Sequence, residues 1–246
     1  MKIINKKIII KKLFTLFCTF FSTFSMFLLS SCSLNINSEN ISGKKNIDNS
    51  LANFNINNLN IDNKIKKLIF VKPYNISFAN ITLFEKTNDT WIIASKINGR
   101  VGRQGVAKKG GKREGDGKTP SGLYALKSGF GINYIDTNIP YVKLSGLEHW
   151  VDDPESKFYN TMQILEKGKK PTWNSSEHLI KESVEYQYAV VIDYNNPPVK
   201  YKGSAIFLHV ENDKPTSGCV AVSKKNMMKI LRWLDGDSAI YIEPSS

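Results

Sequence analysis

The chain has few cysteines and few histidines, three of each in 246 residues. Cys18 and Cys32 lie in or at the end of the N-terminal segment, which leaves Cys219 without a disulfide partner in the rest of the chain. Neither His209 nor Cys219 has companions at the spacing a zinc ion requires, so no metal or other cofactor is expected. Acids are missing from residues 1 to 12, which carry Lys2, Lys6, Lys7, Lys11 and Lys12. A nucleotide-binding loop is absent too. Gly117-Lys118-Thr119 copies the end of that motif, but five residues separate Gly111 from Gly117 where four are required, and Pro120 stands where a helix should propagate. The segment from Gly110 to Thr119 reads instead as a turn before a strand, with Gly and Asp in left-handed positions. There is no internal repeat and no second linker.

What the N-terminus does contain is a basic start followed by Leu13 to Leu29, almost entirely apolar or small. That is the layout of a secretory signal, and seventeen residues is short for a membrane span. Leu29-Ser30-Ser31-Cys32 resembles a bacterial lipobox. It implies removal of residues 1 to 31, lipidation of Cys32, and export of the remainder as a membrane-anchored lipoprotein facing the periplasm or cell wall. In that oxidising setting an unpaired cysteine is either a buried structural thiol or a reactive one. The net charge of +12 falls to +7 without the five leader lysines. Envelope polymers and lipid headgroups are then the expected anionic partners, with nucleic acid excluded by location.

From residue 32 to 65 the chain is rich in Asn, Ser, Ile and Lys and reads as a lipidated cysteine followed by a flexible tether. Residues 66 to 246 suffice for one domain. Short β-branched or aromatic runs at Lys67–Val71, Trp91–Ile97, Tyr188–Tyr194, Ala205–Val210 and Ala239–Ile242 predict strands, so the domain is mainly β with flanking helices. Two helices are predicted. One runs from Asp153 to Gly168 behind Asp152-Asp153-Pro154. The other runs from Lys224 to Leu234, capped by Ser223, with Met227, Ile230, Leu231 and Leu234 on one face.

Ser204 to Val210 reads as a buried strand carrying one polar residue, His209, which is a satisfied core histidine or a base on a rigid element. Ten residues on, Thr216-Ser217-Gly218-Cys219 favours the base. A glycine before a nucleophile lets the backbone turn so that the N–H groups of Gly218 and Cys219 can face one oxyanion. A neighbouring imidazole can take the thiol proton.

These residues, with Arg113-Glu114-Gly115-Asp116-Gly117-Lys118-Thr119-Pro120-Ser121-Gly122, resemble the YkuD-type L,D-transpeptidase catalytic domain. Trp150-Val151-Asp152-Asp153-Pro154, Tyr159-Asn160 and Gly203 to His209 are similar to the branch of that family with a short His-to-Cys spacing. The resemblance implies a β-sandwich-like domain acting on peptidoglycan stem peptides, and the chain is expected to be a monomer. It implies Cys219 as nucleophile, His209 as general base, and Gly218 and Cys219 as oxyanion donors. An acyl-enzyme would release D-alanine, and an amine would then resolve it to give a 3→3 cross-link.

Ser217 departs from the better-known Ser-His-Gly-Cys form of the motif, and Val220-Ala221 stands where an Arg or Asn is common. Arg103, Arg113, Lys118 and Ser217 are therefore the candidates for holding the substrate carboxylate, against a plain reading of the cations as solvated charges. His149 and His178 read as surface or structural. Two alternatives stay open: an L,D-carboxypeptidase using the same thioester, and a non-catalytic lipoprotein that binds the wall. A catalytic thiol should be of low pKa and label rapidly with iodoacetamide near neutral pH.

Overall fold

The computed structural model describes residues 56–245; the leader, Cys18, Cys32 and the tether as far as residue 55 lie outside the described residues. Thirteen strands and one α-helix are formed there. Two hairpins open the domain: β1 (Lys67–Asn75), β2 (Phe78–Thr87) and β3 (Thr90–Arg100). Short strands follow: β4 (Gly122–Ala125), β5 (Gly129–Gly131), β6 (Tyr141–Lys143), β7 (Glu148–Val151), β8 (Met162–Ile164), β9 (Ser176–His178) and β10 (Ala189–Val191). The chain ends with β11 (Phe207–Val210), β12 (Val220–Val222), α1 (Lys224–Trp233) and β13 (Ser238–Ile242). Ten strands form one mixed sheet in the order β4-β13-β1-β2-β3-β12-β11-β10-β5-β6, and β8-β7-β9 form a second, small one. The β-rich architecture expected from the sequence is the one observed.

Alternation explains how the large sheet builds its core. Ile69, Val71, Ile81, Leu83, Leu208, Val220 and Ile240 all enter one buried cluster, so strands from both halves of the sheet face the same interior. Helix α1 covers it with Met227, Ile230, Leu231 and Leu234, each almost fully buried. Burial of each such side chain contributes about 1.5–3 kcal/mol. The Ser223 hydroxyl accepts a hydrogen bond from the Asn226 N–H at 3.4 Å, as its position before the helix requires. On the other face of β1, Leu68 and Phe70 are covered by Ile56, with Leu59, Ile61 and Ile65 packed against them. Chain packed on the domain thus begins by Ile56.

The two halves of the large sheet meet where β12 pairs with β3 through Ala221 and Arg100. Gly99 makes that approach possible: a Cβ there would lie 2.4 Å from Ile81 Cδ1 and 2.7 Å from the Ala221 carbonyl oxygen. The strand that follows Cys219 is therefore docked on a rigid hairpin.

Residues 153 to 168 do not form the expected helix. The Asp153 carboxylate accepts from the N–H of Glu155 at 2.9 Å and of Asn174 at 2.8 Å, which folds the segment as a turn tied to a distant loop. Asn160 then takes a left-handed conformation (φ 57), and β8 follows by pairing with β7. The strand expected from Ala205 starts only at Phe207, because Ala205 itself is left-handed at φ 51. That expected from Tyr188 shortens to β10, since the Asp193 N–H leaves the ladder for the Ala125 carbonyl at 3.1 Å.

Candidate active site

Strands β11 and β12 run parallel, with Leu208 opposite Val220 and His209 opposite Ala221. Cys219 thus falls beside Phe207, one diagonal step from His209. Strand spacing of about 4.8 Å and a rise of about 3.3 Å per residue put such neighbours roughly 8 Å apart at Cα, within reach for their side chains. Leu208, Val220 and Val222 point into the main core, whereas Phe207 and Cys219 belong to a second cluster on the opposite face with Phe130, Trp150 and Tyr186. His209 and Cys219 both line a cavity of about 270 Å³ on that face. A larger cavity, about 380 Å³ between β5, β8 and β10, contains neither of them.

Both groups are almost completely buried, His209 at 6% exposure and Cys219 at 8%. His209 Nδ1 lies 2.8 Å from its neighbour's carbonyl, Val210 O. A carbonyl can only accept, so Nδ1 carries the proton and Nε2 keeps its lone pair. Burial holds the imidazole pKa below the usual histidine range, against the opposing pull of the Val210 carbonyl and Glu185. The ring is therefore neutral at neutral pH. Tyr186 meets it edge-on, with ring centroids 5.8 Å apart.

Burial likewise pushes the Cys219 thiol up to about 12, with the Glu177 carboxylate adding to the effect and the Phe207 N–H and Lys112 opposing it. The thiol donates to the Ala205 carbonyl at 3.3 Å and accepts from the Phe207 N–H at 3.4 Å. The left-handed Ala205 holds its N–H against the Asn160 side-chain oxygen at 3.1 Å, and that same oxygen accepts from Trp150 Nε1 at 3.0 Å. Both shifts favour a neutral thiol and a neutral imidazole in one cavity over a preformed thiolate. This reverses the low pKa expected of the cysteine from its sequence context.

The turn before Cys219 is fixed from two sides. The Cys219 carbonyl accepts from the Thr216 hydroxyl at 2.7 Å and from the Thr119 hydroxyl at 3.1 Å. Thr119 in turn accepts from the Gly102 N–H at 2.9 Å, and isolated bridges join Gly102 to Thr216 and Val106 to Thr119. The glycine-rich segment that mimics a phosphate loop is thus the scaffold of the cysteine turn. Gly110, Gly115 and Gly117 are left-handed there. Asp116, expected to be left-handed too, contributes its carboxylate instead: it accepts from the N–H groups of Arg113 and Lys118 and from Lys112 Nζ at 2.6 Å.

Gly218 is required for space more than for its backbone angles. A Cβ there would lie 3.1 Å from Ile206 Cδ1, 3.2 Å from the Lys118 carbonyl and 3.6 Å from Lys112 Nζ. Its N–H, one of the two expected oxyanion donors, is directed to the Thr216 hydroxyl at 3.2 Å in this structure. Of the candidate carboxylate holders, Arg103 Nη1 donates to the Ser217 hydroxyl at 3.0 Å, which brings both to the turn. Arg113 is folded back on the carbonyls of Gly110 and Lys112, at 3.0 and 2.7 Å. The Lys118 ammonium is exposed and makes no hydrogen bond or ion pair among the described residues.

Two neighbours of the thiol carry no local sequence signal. Lys112 is a buried ammonium (4% exposed) beside Gly218. Glu177, on β9, lines the same cavity as the thiol and accepts from the Tyr186 hydroxyl at 2.5 Å. Burial raises its carboxyl to about 7 despite that hydrogen bond, and the negative charges of Asp152, Glu182 and Glu114 add to the rise. His149 and His178 flank it in the β7–β9 pairing and stack on each other at 4.3 Å, outside the cavity lining.

The model of the L,D-transpeptidase catalytic domain family YkuD matches residues 82–242. No curated protein matches the chain. A solved structure, that of Bdellovibrio bacteriovorus Bd1075, aligns at 17% identity and a TM-score of 0.38, over 73% of this chain and 48% of that one, so the chain spans about half the length of that relative. With the family match extending over well over half of its length and enclosing both His209 and Cys219, the chain belongs to the YkuD family of L,D-transpeptidase catalytic domains.

Proposed function

We propose that the chain is an exported, cysteine-dependent L,D-transpeptidase that acylates Cys219 with a peptidoglycan stem tetrapeptide. The observation that carries this reading is the commitment of His209 Nδ1 to the Val210 carbonyl, which leaves Nε2 as the one basic nitrogen of a ring that shares a cavity with the thiol. Entry of the substrate carbonyl triggers transfer of the thiol proton to Nε2 while sulfur attacks the third residue of the stem. The S–C bond forms, the C–N bond to the terminal D-alanine breaks, and the imidazolium returns its proton to the leaving amine.

The developing oxyanion is held by the Cys219 N–H and by the Gly218 N–H once it leaves Thr216. Arg103 and Ser217, bonded together at the turn, receive the substrate carboxylate. Lys112 sets a buried positive charge close to Gly218 and favours both thiolate and oxyanion. An amine acceptor then gives a 3→3 cross-link. Water in its place gives the tripeptide, the carboxypeptidase outcome.

The basic, apolar leader ending in Leu29-Ser30-Ser31-Cys32 supports export to the envelope, with residues 1 to 31 removed, Cys32 lipidated and the tether joining the domain to the membrane. Purified protein incubated with disaccharide tetrapeptides is expected to release D-alanine, and Cys219→Ala to abolish release. Folded wild-type protein that releases none would sink the proposal. Intact mass of membrane-extracted protein tests the anchor, since an unmodified leader would contradict it.

A further inference from the structure

Aminolysis of a thioester by a protonated amine must dispose of two protons, and a single neutral imidazole can carry one. The cavity that holds Cys219 and His209 offers a second acceptor. Glu177, Glu182 and Glu185 line it against one ammonium, that of Lys214. Glu185 is already engaged by the Asn212 side-chain amide. Glu177 differs in being oriented from behind: the buried Tyr186 hydroxyl donates to its Oε2, while the Tyr186 ring packs edge-on against His209 and Phe207. Strand pairing fixes the residue further, since β9 lies antiparallel to β7 with Glu177 opposite Trp150. Its strand partner Trp150 packs in the same cluster as Cys219, and Glu177 and Cys219 line one cavity.

We propose that Glu177, held by Tyr186, is the catalytic carboxylate that receives the acceptor amine, binding it as an ammonium and taking its first proton. The proposal rests on the transpeptidase reading above. The ammonium gives one proton to Glu177, and the free amine attacks the thioester carbonyl. The N–C bond forms and the C–S bond breaks. His209 Nε2 moves the second proton from nitrogen to Sγ. Amide, thiol and a neutral Glu177 carboxyl result, and the carboxyl returns its proton to water. A carboxyl raised towards neutrality by burial is suited to that exchange. Water needs no such receptor, so this residue biases the acyl-enzyme towards transfer.

The test supplies purified protein and disaccharide tetrapeptide with either glycine, an ammonium at pH 7, or hydroxylamine, which is uncharged there. Tripeptide, glycyl product and hydroxamate are quantified by mass spectrometry. Glu177→Gln is expected to lower the ratio of glycyl product to hydroxamate at least tenfold, a ratio that does not depend on how fast the variant forms its acyl-enzyme. A purely structural role would lower both products together, and an unchanged ratio or an equal fall overturns the proposal. Wild type that forms hydroxamate but no glycyl product overturns it as well. Wild type that releases no D-alanine overturns the transpeptidase reading and this proposal with it. Should Glu177→Gln not fold, Tyr186→Phe takes its place: a ratio lowered at least threefold supports the proposal, and an unaltered ratio overturns it.

Discussion

The protonation state of Cys219 can be read directly by alkylation. Burial pushes the thiol up to about 12, against about 8.5 for a free cysteine. At pH 7.5 this lowers the thiolate fraction by a factor on the order of a thousand. Iodoacetamide labelling of the native protein is therefore expected to run on the order of a thousandfold slower than labelling of the same protein unfolded in urea. The native rate should climb about tenfold per pH unit through pH 10 without a plateau. Two substitutions set the sign. Glu177→Gln removes the negative charge that opposes the thiolate and should speed labelling, whereas Lys112→Met removes the positive charge that favours it and should slow labelling. A labelling rate that levels off below pH 8 would mean a preformed thiolate–imidazolium pair. That result would refute the neutral-pair mechanism.

Three further outcomes follow from the same geometry. Thr119→Val deletes the hydroxyl that bridges the Gly102 N–H and the Cys219 carbonyl, and should cost about 1–3 kcal/mol in urea denaturation and slow acylation; an effect on neither would show that Thr216 alone holds the turn. Asn160→Ala leaves Trp150 Nε1 and the Ala205 N–H without their acceptor, and should destabilise by about 2–4 kcal/mol while loosening the carbonyl that receives the thiol. Glu177 titrates at about 7 in the fold against an ordinary 4.5, so its carboxyl favours the folded state below pH 4.5 and that contribution is lost as pH rises to about 7. The stability of Glu177→Gln relative to wild type should accordingly rise across that window in pH-dependent denaturation, and a flat difference would contradict the assigned environment.

Local sequence carried the elements whose periodicity matched their environment. The apolar run around His209 reads as a strand because β11 is buried on both faces, and α1 reads as a helix because its four core residues recur at helical spacing. Residues 153 to 168 misled because the Asp153 carboxylate bonds Asn174, twenty-one positions away, a contact no local pattern announces. His209 and Cys219 line one cavity, a proximity that residue type and order suggested, whereas the thiol's protonation depends on burial that only the packed second cluster creates. Nothing in the local sequence separates Lys112 from the other cations of its loop. Its burial follows from the way Asp116 folds that loop inward. Glu177 sits in Ser176-Glu177-His178, which has no apolar alternation, and it reaches the cavity only because β9 pairs with β7.

The most direct test of the central claim is intact mass spectrometry of the protein mixed with a disaccharide tetrapeptide and quenched in acid. A thioester adduct of the disaccharide tripeptide is expected on wild type, mapped to Cys219 by proteolysis and absent from Cys219→Ala. His209→Gln is expected to slow adduct formation by at least a hundredfold. An adduct that persists in Cys219→Ala, or D-alanine release with no dependence on Cys219, would contradict that claim.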